Sequence, residues 1–215
     1  AAGVIEQVSR RSVAVRVEQT QTLPFELRYR LTLAVAMSKA HRQGYLVEKC
    51  TELGVAAIWP LIAARSVTLP GEAAVEKWSR RAIEAAKQSG RAWVPAIAPV
   101  ASFAHALSRA GEFPIALFCD LSADGVPIQL AMGEGKSAIG KIDNRQSTID
   151  NSVIAFVGPE GGWTDDERNT AREAGMITVT QSPTILRAET AAVAVCAAVA
   201  ALSVCQNGAA DRAGR

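Results

Sequence analysis

The chain has 215 residues, 49% of them hydrophobic and 20% charged, the balance of an ordinary globular protein with room for one good-sized domain, or one domain and a small appendage. A formal charge of +2 says little alone, but residues 1–93 hold 14 Lys/Arg against 8 Asp/Glu and residues 94–215 hold 9 against 13, a weak pointer to a polyanionic partner for the front half. The cysteines Cys50, Cys119, Cys196 and Cys205 form no CxxC pair, so neither a metal cluster nor a disulfide framework is expected, and free thiols in a reducing cytoplasm are the simple reading.

Ala1 is not Met and no charged-then-apolar leader follows it, so the chain reads as trimmed at its start. Residues 4–18 (VIEQVSRRSVAVRVE) alternate loosely around a Ser-Arg-Arg-Ser turn, which predicts a two-stranded hairpin. Such a hairpin is not stable alone and is expected to belong to a small β domain. Residues 19–26, polar and containing Pro24, read as a linker. From Leu31 the pattern changes to continuous apolar runs, LTLAVAM (31–37), AAIWPLIAA (56–64), WVPAIAPV (93–100), PIALFCD (114–120), SVIAFVGPE (152–160) and ITVT (177–180). Helices are expected between them at about 42–53, 72–89, 165–174 and 186–205. Strands alternating with helices, each strand apolar on both faces, predict an α/β domain with a mostly parallel sheet. Residues 131–151 are polar and aperiodic and read as a mobile loop. The apolar stretch 191–202 is too short to span a bilayer and reads as a buried helix.

Three features suggest chemistry. In GPEGGWTDDE (158–167) an apolar strand runs into three glycines in five positions, then into a Thr164/Glu167 capping box with Asp165 and Asp166 in the first helical turn. A strand, tight turn and helix start suit binding by backbone amides at the carboxyl edge of a parallel sheet. No Gly-Lys-Ser/Thr is present, and the acidic helix start would repel phosphate, so a cationic or neutral ligand fits better; a bare connecting turn is the other reading. In ILRAETAA (185–192) Arg187 and Glu189 flank the start of a helix that is apolar all round, which reads either as a core helix or as a subunit interface. Along 72–91, Arg80, Arg81, Glu84, Lys87, Gln88 and Arg91 share one side of a helix, either a solvated face or a surface for an RNA backbone. His41 and His105 are isolated and read as surface residues.

Taken in order, Lys39, Val47-Glu48-Lys49-Cys50-Thr51-Glu52-Leu53-Gly54-Val55, Pro60, Arg65-Ser66, Ala85-Ala86-Lys87-Gln88-Ser89-Gly90-Arg91, Val94-Pro95 and the two segments above resemble the RsmE family. Its members are bacterial 16S ribosomal RNA uridine-N3 methyltransferases of the SPOUT superfamily, and the match covers roughly residues 31–205. The resemblance implies a SPOUT-type parallel sheet with a C-terminal trefoil knot, a cytoplasmic homodimer, and S-adenosyl-L-methionine as methyl donor. The domain layout it implies is residues 1–26 as the end of a PUA-like RNA-binding β domain and linker, 27–207 as the methyltransferase domain, and 208–215 as a tail.

The implied cofactor loops are Phe118, Cys119, Asp120 and Leu121; Val157, Gly158, Pro159, Glu160 and Gly161; and Gln181, Ser182, Pro183, Thr184, Ile185 and Leu186. Arg187 and Glu189 are the implied catalytic residues, with Glu160 a further candidate base, and Arg10, Arg11, Lys39, Arg65, Arg81, Gln88 and Arg91 the implied contacts to the small ribosomal subunit. One departure is plain: the family pattern before Ile-Leu-Arg is usually Leu-Gly-Pro-Arg, and this chain has Gln181-Ser182-Pro183-Thr184. A SPOUT enzyme acting on a ribose 2′-hydroxyl and a non-catalytic RNA-binding assembly module are the competing readings.

Overall fold

The computed structural model describes residues 2–20, 26–121, 125–132 and 151–212. Its first elements are β1 (Ala2–Val8) and β2 (Val13–Gln19), an antiparallel pair closed through Ser9 and Ser12, as the alternation predicted. Every described residue of this hairpin is exposed, with Ile5 paired to Val15 and Val8 to Val13. Arg10 and Arg11 lie at its tip.

The rest is one parallel α/β layer system. In chain order the elements are β3 (Arg30–Ala36), α1 (Ala40–Glu52), β4 (Ala57–Ile62), α2 (Glu72–Gln88), β5 (Ala96–Ile97), β6 (Ala101–Ser102) and α3 (Phe103–Ser108). After a short 3-10 turn come β7 (Ile115–Cys119), β8 (Val126–Pro127), α4 (Ile128–Ala131), β9 (Ser152–Val157), α5 (Asp165–Glu173), β10 (Ile177–Thr180) and α6 (Ala188–Arg212). The sheet order is β5-β4-β3-β9-β7-β10-β8, with β6 also on β4, and all these pairings are parallel.

Alternation along the strands assigns two cores. Leu31, Leu33 and Val35 of β3, Val153, Ala155 and Val157 of β9 and Leu117 of β7 face a cluster completed by α1, α2 and α6. Ala34, Ile154, Phe156 and Phe118 face the opposite cluster, completed by Phe103 and Leu107 of α3, Ala171 of α5 and Trp163. A strand with helices on both faces has no solvent side, which is why these segments read as unbroken apolar runs.

Differences from the sequence reading are local. β5 keeps only two residues of the run 93–100, and α3, α4, β6 and β8 are too short to leave a period. Helix α6 starts two residues later than expected and continues to Arg212, into the segment read as a tail. Residues 133–150, most of the expected mobile loop, and the Cys205 side chain lie outside the described residues.

Helix α1 ends where expected. Gly54 has φ +96°, and the place of its missing Cβ is taken by Leu27, 2.5 Å away. Beside it Arg91 is a correction to the proposed RNA surface. Its side chain is 7% exposed, with Nη1 donating to the carbonyls of Thr51 (3.1 Å) and Val55 (2.7 Å) and Nη2 to Glu26 Oε2 (2.6 Å). The guanidinium ties the segment before β3 to the end of α1, so its charge is spent inside.

Among the described residues Cys50, Cys119 and Cys196 are free and buried. Burial pushes the Cys119 thiol well above its ordinary range; Cys50 is raised as well, through its hydrogen bond with the Cys196 thiol and through burial. Both stay protonated at neutral pH, and a protonated thiol is a poor nucleophile.

Two outcomes are expected. Arg91→Ala strips a donor from two carbonyls and a carboxylate and costs about 2–4 kcal/mol, read as a lower urea midpoint at unchanged slope. Iodoacetamide at pH 8 leaves Cys50 and Cys119 of the native protein unmodified, by peptide mass mapping, and modifies both once the chain is unfolded.

Candidate functional site at the carboxyl edge of the sheet

Four adjacent strands end level. Val35 of β3 lies opposite Val157 of β9, Val157 opposite Cys119 of β7, and Cys119 opposite Val179 of β10. The segments after these strands, and the first turns of α1 and α6, therefore share one edge of the sheet, where ligands of open parallel sheets bind. All three segments expected to hold a cofactor leave from this edge.

The glycine turn is held from both sides. Thr164 and Glu167 form the expected capping box: Thr164 Oγ1 accepts from the Glu167 N–H (3.2 Å), and Glu167 Oε2 accepts from the Thr164 N–H (2.8 Å). Glu167 Oε1 also accepts from the Ala64 N–H at 2.8 Å, tying α5 to the loop after β4. From that loop Arg65 Nη1 donates to the carbonyls of Gly161 (3.0 Å) and Trp163 (3.3 Å). Arg65, an expected RNA contact, thus uses one of its nitrogens to brace the turn.

Trp163 is the residue that sequence reasoning missed. Its indole N–H donates to the Cys119 carbonyl (2.9 Å) and its ring stacks on Phe118, with centroids 4.7 Å apart. A Cβ on Gly158 would stand 2.9 Å from this ring, so only glycine lets the turn pass so close. A lone Trp directly after a glycine turn was the available signal.

Just past the end of β7, Asp120 is held through its N–H, its carbonyl and its carboxylate. Its N–H donates to the Val179 carbonyl (3.1 Å), its carbonyl accepts from Thr180 Oγ1 (3.3 Å) and its carboxylate from Arg168 Nε (2.9 Å). Phe118, Cys119 and Val157 are buried, so they offer a ligand strand-end backbone and no side-chain surface. Pro159 is buried as well, whereas Gly158 is half-buried and Glu160 and Gly161 are exposed. The N–H groups of Glu160, Gly161, Ile185 and Leu186 meet no acceptor among the described residues.

The divergent loop closes by its own chemistry. Ser182 Oγ lies 2.9 Å from Thr184 Oγ1 and accepts from the Thr184 N–H at 3.1 Å, a turn closed by hydroxyls. Pro183 is exposed, Leu186 half-buried, and Leu121 and Ile185 present bare apolar side chains, Ile185 87% exposed.

Arg187 is exposed at the start of α6. Glu189 is buried, with Oε1 paired to Arg42 Nη1 of α1 at 3.3 Å. Four buried side-chain polar atoms lack a hydrogen-bond partner among the described residues: Ser38 Oγ, Ser152 Oγ, Gln181 Nε2 and Glu189 Oε2. Ser38, Gln181 and Glu189 stand at the carboxyl edge, Gln181 with the Cys119 thiol as its one weak neighbour, and only Ser152 is at the other end of a strand. Buried polar atoms normally have partners, so Ser38 and Glu189, with the weakly held Gln181 beside them, give this edge an unmet demand for polar contacts.

The basic side of α2 is largely paired with carboxylates of its own. Arg81 meets Glu48 of α1 (3.1 Å), Arg80 meets Glu76 (3.7 Å) and Lys87 meets Glu84 (3.0 Å). Exposed pairs of this kind are weak and can be exchanged for a phosphate. Lys39 and Gln88 are exposed without a side-chain partner among the described residues.

Trp163→Phe, which strands the Cys119 carbonyl, is expected to lower stability by about 1–2 kcal/mol. Gly158→Ala is expected to cost about 1–3 kcal/mol through overpacking against the same ring. Thermal unfolding checks both, and an unchanged midpoint for either would remove Trp163 as the brace of this edge.

Residues 25–200 match the family model described as RNA methyltransferase domain. Ribosomal RNA small subunit methyltransferase E of Synechocystis is 33% identical over 178 residues, covering 82% of this chain. The chain spans only 55% of that relative's length. The enzyme of the same name from Mycobacterium bovis is 32% identical over 204 residues, covering 93% of this chain and 73% of the relative. Among solved structures, ribosomal RNA small subunit methyltransferase E from Neisseria gonorrhoeae bound to S-adenosyl methionine superposes with a TM-score of 0.72 at 28% identity, covering 93% of this chain and 77% of that one. The α/β fold with its parallel sheet is thus shared with solved methyltransferases, and the chain belongs to the RNA methyltransferase domain family, within its ribosomal RNA small subunit methyltransferase E group.

Proposed function

We propose that the chain transfers a methyl group from S-adenosyl-L-methionine to N3 of a uridine in the 16S RNA of the small ribosomal subunit. The observation that carries this reading is the convergence, at one sheet edge, of the braced glycine turn with the poorly satisfied polar atoms of Ser38, Gln181 and Glu189. The residues suit the cofactor. Backbone N–H groups at Glu160, Gly161, Ile185 and Leu186 are open to an acceptor, Leu121 and Ile185 can cover an apolar ring, and no phosphate loop competes. When bound, the sulfonium supplies an electrophilic methyl group.

Uracil N3 carries a proton at neutral pH and is a poor nucleophile until that proton is removed or shared. Glu189, 6% exposed and with one free carboxylate oxygen, is the best-placed acceptor; Glu160 lies in solvent. Arg42 holds the other oxygen and so fixes the orientation of the carboxylate. Arg187, exposed two residues before Glu189, stabilises negative charge developing on the base or anchors the neighbouring phosphate. Holding N3 in line with the methyl carbon supplies a large share of the rate. Arg10, Arg11, Lys39, Arg65, Arg81 and Gln88 form the RNA surface; Arg91 leaves that set for the reason given above.

Residues 27–207 act as a SPOUT domain with a C-terminal trefoil knot and residues 1–26 as part of a PUA-like domain. The knot is supported by the insertion of β9 between β3 and β7 and by the return of α6 onto β3, β9 and α1. The second domain is supported by a hairpin bare on both faces. A homodimer is supported by the small residues that α6 leaves exposed, Thr190, Ala197 and Ala201.

Labelled S-adenosylmethionine and small subunits from a strain lacking the enzyme test the reading. The expected product is 3-methyluridine by nucleoside mass spectrometry. A ribose methyl group would move the assignment to a 2′-hydroxyl, and failure to bind the cofactor in calorimetry would leave an RNA-binding module. Arg187→Ala is expected to lower kcat on subunits at least tenfold; unchanged turnover removes its catalytic role.

A further inference from the structure

We propose that Arg65 couples RNA binding to cofactor binding by holding an RNA phosphate and the glycine turn with different nitrogens of one guanidinium; this rests on the methyltransferase reading above. Nη1 is committed, donating to the carbonyls of Gly161 and Trp163 at 3.0 and 3.3 Å. Nε and Nη2 have no partner among the described residues, and Arg65 is exposed. An arginine placed this way has half its fork inside the site and half in solvent, the geometry in which guanidinium binds phosphate.

The connection from that exposed half runs inward through specific bonds. Arg65 fixes the Trp163 carbonyl, and the Trp163 indole donates to the Cys119 carbonyl at the end of β7 while its ring stacks on Phe118. The Arg65 backbone is in turn secured by Glu167, whose carboxylate takes the N–H of neighbouring Ala64. A phosphate that immobilises the guanidinium therefore stiffens both the glycine turn and the β7 end, two of the three cofactor segments. A cofactor that meets an ordered turn loses less conformational freedom on binding, which is positive coupling without any large movement.

The surrounding charges permit this. Of the acids near the turn, Glu167 is buried and saturated by its three donors, and Asp165 is paired with Arg168 at 3.0 Å. Glu160, flanking Gly161, and Asp166, in the first turn of α5, are the exposed carboxylates that remain to oppose a phosphate at Arg65, whose own free nitrogens face it.

The test uses the full chain and tritiated S-adenosylhomocysteine, which binds without reacting, in equilibrium dialysis with and without saturating small ribosomal subunits. In the unmodified protein the subunits are expected to tighten binding about fivefold or more. Arg65→Ala and Arg65→Lys are both expected to bring that factor below about twofold, because a single ammonium can serve the carbonyls or the phosphate but cannot fork between them. The dependence of log K for subunits on log salt should fall by about one phosphate contact in Arg65→Ala. Thermal unfolding of each variant confirms that the chain is folded. Coupling of full size in both variants, no coupling in the unmodified protein, or an unchanged salt slope overturns the proposal. If S-adenosylhomocysteine fails to bind the unmodified chain at all, the methyltransferase reading falls and this inference falls with it.

Discussion

The site depends on one buried hydrogen bond, from the Trp163 indole to the Cys119 carbonyl. Strand β7 ends at Cys119 and the glycine turn begins one residue after β9, so without this bond the two segments would be neighbours only through the ladder beneath them. The indole has its N–H satisfied and its face stacked on Phe118, in a pocket closed by Phe103 and by the bare backbone of Gly158. Everything else at the edge is arranged around it. Arg65 grips the Trp163 carbonyl from one side, and the capping box starts helix α5 on the next residue.

The same economy appears in Glu167. One carboxylate caps a helix, fixes the Thr164 hydroxyl and receives the Ala64 N–H, so the start of α5 and the loop after β4 cannot move independently. Rigid support of this kind lets a site made of loops hold a geometry. Arg42 and Glu189 do the equivalent between α1 and α6, leaving one buried Glu189 oxygen without a partner among the described residues.

Much of the fold could be read from the sequence because two-sided burial writes itself as unbroken apolar runs: β3, β4, β7, β9 and β10 all fall where such runs stand. The Thr164/Glu167 cap and the stop at Gly54 were legible for an equally local reason. What stayed hidden was contact between distant residues. Helical spacing put Arg91 on one face with exposed cations, yet α2 ends at Gln88 and Gly90 turns the chain away, so Arg91 finds its partners on α1, the loop after it and the segment before β3. Trp163 and Arg65 were hidden likewise, since their partners stand 44 and 96 residues away. The Ser182 and Thr184 hydroxyls close their loop by a bond that residue identity suggests only once the backbone is known.

Strand β9 lies between β3 and β7, both of which precede it in the chain. Until β9 is made, its two neighbours present long apolar edges with nothing between them, and pairing such as Leu33 with Ala155 must wait for the intervening chain to fold around the gap. Parallel pairing at that sequence separation carries a large loop-closure entropy and folds slowly. The half-assembled sheet is thus the species most exposed to wrong association, and the length of its life is set by how fast the central strand enters.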